Sequence, residues 1–196
     1  MKIFPESLTP VESYHLMISA IVPRPIALIS TVSSSGILNA APFSFFQGIT
    51  SNPPLLMVSI GKRKGRPKDT LQNIMDIKEF VVNLVPEALL DKMVKTSRDF
   101  EEDVSEFEEA GLTPGDSEKV KPPRILESPV NLECKLVEIL QIGRQLQSLV
   151  VGEVVCYHIQ DDLLTERNTI DPLKLRPVGR LGGRNYCVVQ EVLERP

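Results

Sequence analysis

Two long extended stretches, Asn131–Ile142 and Ser148–Ile159, constrain the fold of this chain more than any other feature. In the first, Leu132, Cys134 and Leu136 alternate with Glu133 and Lys135, the period-two pattern of a strand with one buried and one wet face. The second, SLVVGEVVCYHI, is more continuously apolar. It is expected to be covered on both faces, either inside a sheet or at a subunit contact. A proline-rich connection at Pro122, Pro123 and Pro129 leads into this pair.

Upstream the signals are shorter. Thr9-Pro10-Val11-Glu12 sets an N-cap threonine, a proline at the first helical position and a glutamate at the third, a capping box that opens a helix toward Met17. Pro25–Val32 is rich in β-branched and apolar residues, Ser33–Gly36 has turn composition, and Ile37 onward is extended again, which predicts a hairpin. Another strand, Leu55–Ile60, follows the breaker Asn52-Pro53-Pro54. Leu71, Ile74 and Met75 lie at helical spacing in Thr70–Ile77, with Asp69 or Thr70 as the natural N-cap. Glu79–Val85 reads as a strand and Pro86–Lys95 as a helix. Asp99–Glu109 carries seven acidic residues, and a solvated helix or surface excursion is expected there rather than an acidic partner site. Strands outnumber helices, there is no βαβ rhythm, and no GxGxxG follows a strand. A small antiparallel barrel with helical decoration is expected, not a dinucleotide-binding Rossmann domain.

At 196 residues the chain has room for one full core and reads as a single domain. Hydrophobic content of 42% with 24% charge is ordinary for a globular protein. No apolar run approaches the roughly 18 to 20 residues that span a bilayer. MKIFPESLTP puts Pro5 and Glu6 where an export signal needs apolar residues, so a cytoplasmic location without membrane contact is expected. Cys134, Cys156 and Cys187 are far apart and form no CxxC, and they read as reduced core thiols. With His15 and His158 the only histidines, the spacing offers no metal cluster. An enzyme with this inventory depends on a bound organic cofactor for its difficult step.

Gly61–Thr70, GKRKGRPKDT, brings Lys62, Arg63, Lys64, Arg66 and Lys68 to the start of the helix that follows. A helix N-terminus offers unpaired N–H groups and partial positive charge, and lysines add full charges, so this is the layout of a phosphate site. Net charge is −4, and the positive charge sits in one loop rather than over a face, which points to a small phosphorylated ligand and not to nucleic acid. A solvated basic hairpin is the alternative. Between the first hairpin and this loop lies NAAPFSFFQG, Asn39–Gly48. Its small Ala40 and Ala41, polar Asn39 and Ser44, and Phe43, Phe45 and Phe46 suit either a core plug or a pocket for a flat ring.

The ordered series PRPIALIST (Pro23–Thr31), NAAPFSFF (Asn39–Phe46), VSIGKR (Val58–Arg63), PKDTLQNI (Pro67–Ile74) and EFVVNLV (Glu79–Val85) resembles the flavin reductase-like, FMN-binding split-barrel family, which includes flavoredoxins. GEVVCYHI (Gly152–Ile159) and GRLGGRNY (Gly179–Tyr186) are similar to the family's later segments. The resemblance implies a mainly β fold, a six-stranded antiparallel split barrel with peripheral helices, over residues 1–196, with an acidic surface excursion around 98–120. It also implies a homodimer with one FMN per subunit near the dimer interface. By the same resemblance Thr31, Asn39, Ala41 and Ser44 lie along the isoalloxazine and ribityl chain, and Ser59, Lys68 and Thr70 hold ribityl or phosphate oxygens. Ala40, Phe46, Ile60 and Gly61 complete the cofactor-binding set. Arg24 is either a salt-bridging strand-end residue or a second phosphate ligand.

No protein acid or base is assigned, because the flavin itself carries the hydride chemistry. His158 reads as a hydrogen-bonded core or interface residue or as a substrate contact, and Arg180 with Tyr186 as a flavin gate or nicotinamide contact, or as a turn with a buried tyrosine. The implied function is an NAD(P)H-dependent flavin or ferric-complex reductase. A flavoredoxin-like carrier reduced by a partner protein is the alternative, and a non-catalytic polyanion-binding module is a third reading.

Overall fold

The computed structural model describes residues 1–101 and 103–195. Glu102, one of the seven acids of the excursion, and Pro196, the last residue of the expected domain, lie outside the described residues. The main sheet contains β1 (Ala27–Val32), β2 (Leu38–Phe43), β3 (Phe46–Ser51), β4 (Pro54–Ile60), β5 (Glu79–Leu84), β6 (Val130–Ile142) and β7 (Gln147–Ile159). Their hydrogen-bonded order is β2-β1-β5-β6-β7-β4-β3, antiparallel at every step.

Strands β2 and β3 end this order on opposite sides, yet only Ser44 and Phe45 separate them in sequence. The sheet therefore has to curl until its ends approach, which makes a barrel split along one seam. The sheet has seven strands rather than six. The extra one is β3, which the aromatic run at its start had masked.

The barrel interior is filled by fully buried Ile29, Val58, Phe80, Val82, Cys134 and Val150. Around it lie helices that include α1 (Pro10–Ala20), α2 (Asp69–Ile77), α3 (Leu90–Thr96) and α4 (Glu106–Ala110). Helix α2 inserts Leu71 and Ile74 into the barrel cluster. A second cluster, with Leu28, Leu89, Met93, Phe107 and Ile125, seals the other side of β1 beneath α3 and α4. No described helix is long and apolar enough to cross a membrane.

The capping box of α1 is formed, with Thr9 Oγ1 accepting from Glu12 N at 3.2 Å and Glu12 Oε2 accepting from Thr9 N at 2.8 Å. The helix continues past Met17 to Ala20. Alternation in β7 leaves Ser148, Val150, Gly152 and Val154 buried while Leu149, Val151 and Val155 are half-covered. The strand is thus central by pairing but dry on only one face of this chain.

The expected wet face of 131–142 is corrected at Glu133, which is fully buried. Its carboxylate accepts the Glu118 and Lys119 N–H groups at 2.7 and 2.6 Å, and hydrogen bonds of this kind are what make a buried carboxylate tenable.

Candidate functional site

The basic loop is a small hairpin, Lys62–Arg63 against Arg66–Pro67. Lys64 and Gly65 at its tip both have positive φ, 49° and 80°, as a two-residue primed turn requires. Arg63 is held by the acidic segment: its Nε lies 3.3 Å from Asp99 Oδ1 and its Nη1 donates to Phe100 O at 3.0 Å. The N-cap of α2 is Lys68, not Asp69 or Thr70, and no side chain caps the helix. The N–H groups of its first turn are therefore left for solvent or a ligand. They face a cavity lined by Asn39, Ala41, Lys68, Thr70, Arg98 and Glu106.

Beneath that cavity runs a buried polar network. Thr70 Oγ1 and Thr31 Oγ1 donate to Asn39 Oδ1 at 2.9 and 3.2 Å, and Asn73 Nδ2 donates to Thr31 Oγ1 at 3.0 Å. Glu106 Oε2 accepts from Asn39 Nδ2 at 2.8 Å and from Ala40 N at 3.2 Å. Both lone pairs of Asn39 Oδ1 are thereby used, and one amide hydrogen is left for a ligand. Thr31 has no exposed surface, so it positions Asn39 from behind.

Glu106 is a site residue that the sequence reading left on a solvated excursion. Burial pushes its carboxyl above the usual carboxylate range, and hydrogen bonds from its own and the Ala40 backbone and from Asn39 oppose the rise. Phe107 and Ala110, three residues apart and both buried, are the signal that this segment docks rather than floats.

A second cavity adjoins the first, sharing Pro42 and Ser97 with it, and is lined by Tyr14, Phe43, Ser44, Met93, Arg180 and Tyr186. Arg180 stacks on Tyr186 with its guanidinium carbon 4.4 Å from the ring centroid, and Lys68 Nζ lies 5.5 Å from that of Phe43. Arg24, buried nearby, has no salt-bridge partner among the described residues and does not line the first cavity. Its Nη1 donates to Ile18 O and, at 2.7 Å, to Ile21 O, and its Nη2 donates to Leu181 O at 3.0 Å. Burial lowers its pKa below the ordinary guanidinium value. It joins the C-terminal end of α1, where carbonyls are unpaired and negative, to the loop that carries Tyr186.

Of the residues expected around a cofactor, Asn39, Ala41, Lys68 and Thr70 converge on the first cavity, and Ser44, Arg180 and Tyr186 on the second. The others stand elsewhere. Ala40 and Ile60 have fully buried side chains, Ile60 within the barrel, so only their backbones could meet a ligand. Phe46 packs against the barrel core. Ser59 alternates with buried Val58 and Ile60 and so points outward, opposite Leu149. Gly61 lies beside the Gln147 side chain. His158 lines a third cavity of about 450 Å³ with Arg124, Ser128, Asn131 and Tyr157, which shares no lining residue with the other two.

The donor set suits a flavin mononucleotide. An uncapped helix start with Lys68 matches a phosphate, the remaining Asn39 N–H and the backbone near Ala41 match the polar edge of a ring, and Phe43 and Tyr186 supply apolar walls. A family profile described as "Flavin reductase like domain" matches residues 18–175. An uncharacterized protein of Aquifex aeolicus is 45% identical over 174 residues, 88% of each chain. The structure of nitrilotriacetate monooxygenase component B from Bacillus cereus is similar over 100% of this chain and 98% of that one, with 34% identity and a TM-score of 0.95. That of 2-nitrobenzoate 2-nitroreductase from Pseudomonas fluorescens is similar over 100% and 95%, with 35% identity and a TM-score of 0.91. With the split barrel, the uncapped helix at its mouth and the profile match in agreement, this chain belongs to the flavin reductase-like family and has a flavin-linked redox function.

Proposed function

We propose that the chain is an FMN-dependent oxidoreductase that takes hydride from NAD(P)H and delivers reducing equivalents to a flavin or ferric-complex acceptor. The observation that carries this reading is the uncapped N-terminus of α2, set beside Lys68 and Arg98 at one cavity that adjoins a ring-lined second one. Bound FMN supplies the two-electron acceptor that no side chain of this protein offers. Lys68 and the first-turn N–H groups of α2 hold its phosphate, and the network through Thr31, Thr70 and Glu106 keeps the Asn39 amide aimed along the ring. Arg180 and Tyr186 exclude water from the adjoining cavity and give a nicotinamide a stacking surface and a cation. The two similar structures are named for a monooxygenase component and a nitroreductase, which supports an enzyme over a passive binding module.

The working unit is a homodimer. Val137, Leu140, Ile142 and Leu146 are 52%, 40%, 50% and 51% exposed along the outer end of the β6–β7 hairpin, an apolar surface that a second copy would cover.

Acid release of the ligand followed by mass analysis, and an anaerobic spectrum before and after NADH or NADPH, test the proposal. A yellow protein with one FMN per chain that bleaches on addition of nicotinamide is expected. Recovery of FAD, or a colourless protein after incubation with FMN, would overturn the cofactor assignment. A flavin that stays oxidised with both nicotinamides, yet is reduced by a protein donor, would establish the electron-carrier alternative.

A further inference from the structure

Glu133 and Cys156 are directly paired across β6 and β7, and His158 lies two residues beyond Cys156 on the same face of β7. Their ligating atoms all lie within 4.8 Å of one another, with Cys156 Sγ 3.6 Å and Glu133 Oε1 2.5 Å from His158 Nε2. From this geometry we propose that Glu133, Cys156 and His158 form a zinc site, separate from both cavities of the flavin region.

Zinc–sulfur and zinc–nitrogen bonds of about 2.3 and 2.0 Å at a tetrahedral angle put sulfur and nitrogen about 3.5 Å apart. The 3.6 Å between Cys156 Sγ and His158 Nε2 already matches that edge. The Glu133–His158 pair has to open by roughly 0.8 Å for the ion to replace the shared hydrogen, and the Glu133–Cys156 edge, within 4.8 Å here, has to settle at about 3.6 Å. The side chains project from two paired strands, so ordering them costs little.

The donor types select the ion. A thiolate, an imidazole and one carboxylate suit zinc, whereas calcium and magnesium require oxygen cages. Glu133 and a deprotonated Cys156 supply two negative charges, which balance the divalent cation. An outer shell is in place, since the Glu118 and Lys119 N–H groups fix both oxygens of Glu133. His158 also lines the cavity with Arg124, Ser128 and Asn131, which leaves a fourth coordination position for water or a small anion. Three protein ligands with an open position is the pattern of a reactive rather than a purely structural zinc. In the proton balance of binding, the Cys156 thiol releases its proton to solvent, and a neutral His158 shifts its proton from Nε2 to Nδ1. A protonated His158 releases one as well.

The competing explanation is a plain ion pair, in which Glu133 holds the 118–119 turn and His158 fills its remaining lone pair. That explanation assigns nothing to the thiol, so the thiol decides between the two. Zinc chloride is titrated into the full-length, flavin-loaded protein, stripped of metal beforehand, in competition with a chromophoric chelator. Proton release is followed in parallel, and cobalt(II) serves as a probe for a thiolate charge-transfer band in difference spectra. One zinc per chain is expected, with at least one proton released. Cys156→Ser and His158→Gln should each weaken binding by at least about tenfold, as even outer-shell changes do. The cobalt band should vanish in Cys156→Ser, and Cys187→Ser should bind like the parent. Glu133 is left intact because the fold depends on it. Flavin content serves as the folding control and should not change. Stoichiometric binding that survives both substitutions, or no stoichiometric binding in the parent, would overturn the site.

Discussion

Replacing Lys68 with alanine isolates the phosphate part of the proposed cofactor site. Lys68 is the N-cap of α2 but contributes no side-chain cap, so the helix start and its free N–H groups survive the change. Its ammonium does lie 5.5 Å from the Phe43 ring centroid, and loss of that contact costs about 0.5–1 kcal/mol of fold stability, similarly with any ligand bound. A charge-assisted hydrogen bond to a phosphate contributes about 1.5–3 kcal/mol, equivalent to a roughly 10- to 150-fold rise in the FMN dissociation constant. Riboflavin has the same ring and ribityl chain without the phosphate, and its affinity should change by less than about threefold, since no charged bond is lost. Fluorescence-quenching titrations of both ligands into deflavinated protein read the two effects side by side. Equal losses would show that Lys68 acts through folding. An unchanged FMN affinity would move the phosphate away from α2 altogether.

Gly152→Ala should lower stability by about 1–3 kcal/mol, seen as a lower urea midpoint, because a Cβ there would sit 2.5 Å from Cζ of fully buried Phe80; an unchanged midpoint would mean the ring can retreat. Arg24→Met leaves the Ile18, Ile21 and Leu181 carbonyls without their donor, at about 1–3 kcal/mol, and limited proteolysis should cut first around α1. Glu106 has a raised carboxyl pKa, so the folded state holds its proton longer than the unfolded state does. Its contribution is present in full at low pH and fades as pH climbs from the ordinary carboxyl value of 4.5 through the raised folded value, and Glu106→Gln should flatten that part of a pH series of urea melts. Parallel curves for the two proteins would remove Glu106 as the cause. Leu140→Glu, at a position 40% exposed in one chain, should shift light scattering from dimer to monomer, and an unchanged mass would place the subunit contact on another face.

Local order in this protein was legible from the chain. Apolar and β-branched runs, set off in places by turns and breakers, located β1, β4, β5 and β7, a period-two pattern located β6, and the hydrogen-bonding logic of Thr9 and Glu12 located the start of α1, because these signals depend on neighbours a few residues away. The ordered motifs from Pro23 to Val85 pointed to the family that the profile match then showed. The site was legible only in part. Asn39, Lys68 and Thr70, taken from the family resemblance, with Lys68 also marked by the basic run before α2, line one cavity, whereas Ile60 and Ser59 alternate on a strand whose inward face could not be told from its outward one before the barrel closed.

Short-range sterics and hydrogen bonding made six strands of the main sheet, the start of α1 and the ordered motifs of the flavin reductase-like family readable in the chain alone, but neither β3 nor the docked α4. Only the tertiary structure decided the fate of the charged residues. Glu106 is buried because Asn39, 67 residues away, donates to it, Glu133 because two loop N–H groups and His158 do, and Arg24 because carbonyls 3 to 157 residues distant surround it. A charge enters an interior only where partners await it, and no local pattern records partners that the fold brings from so far along the chain.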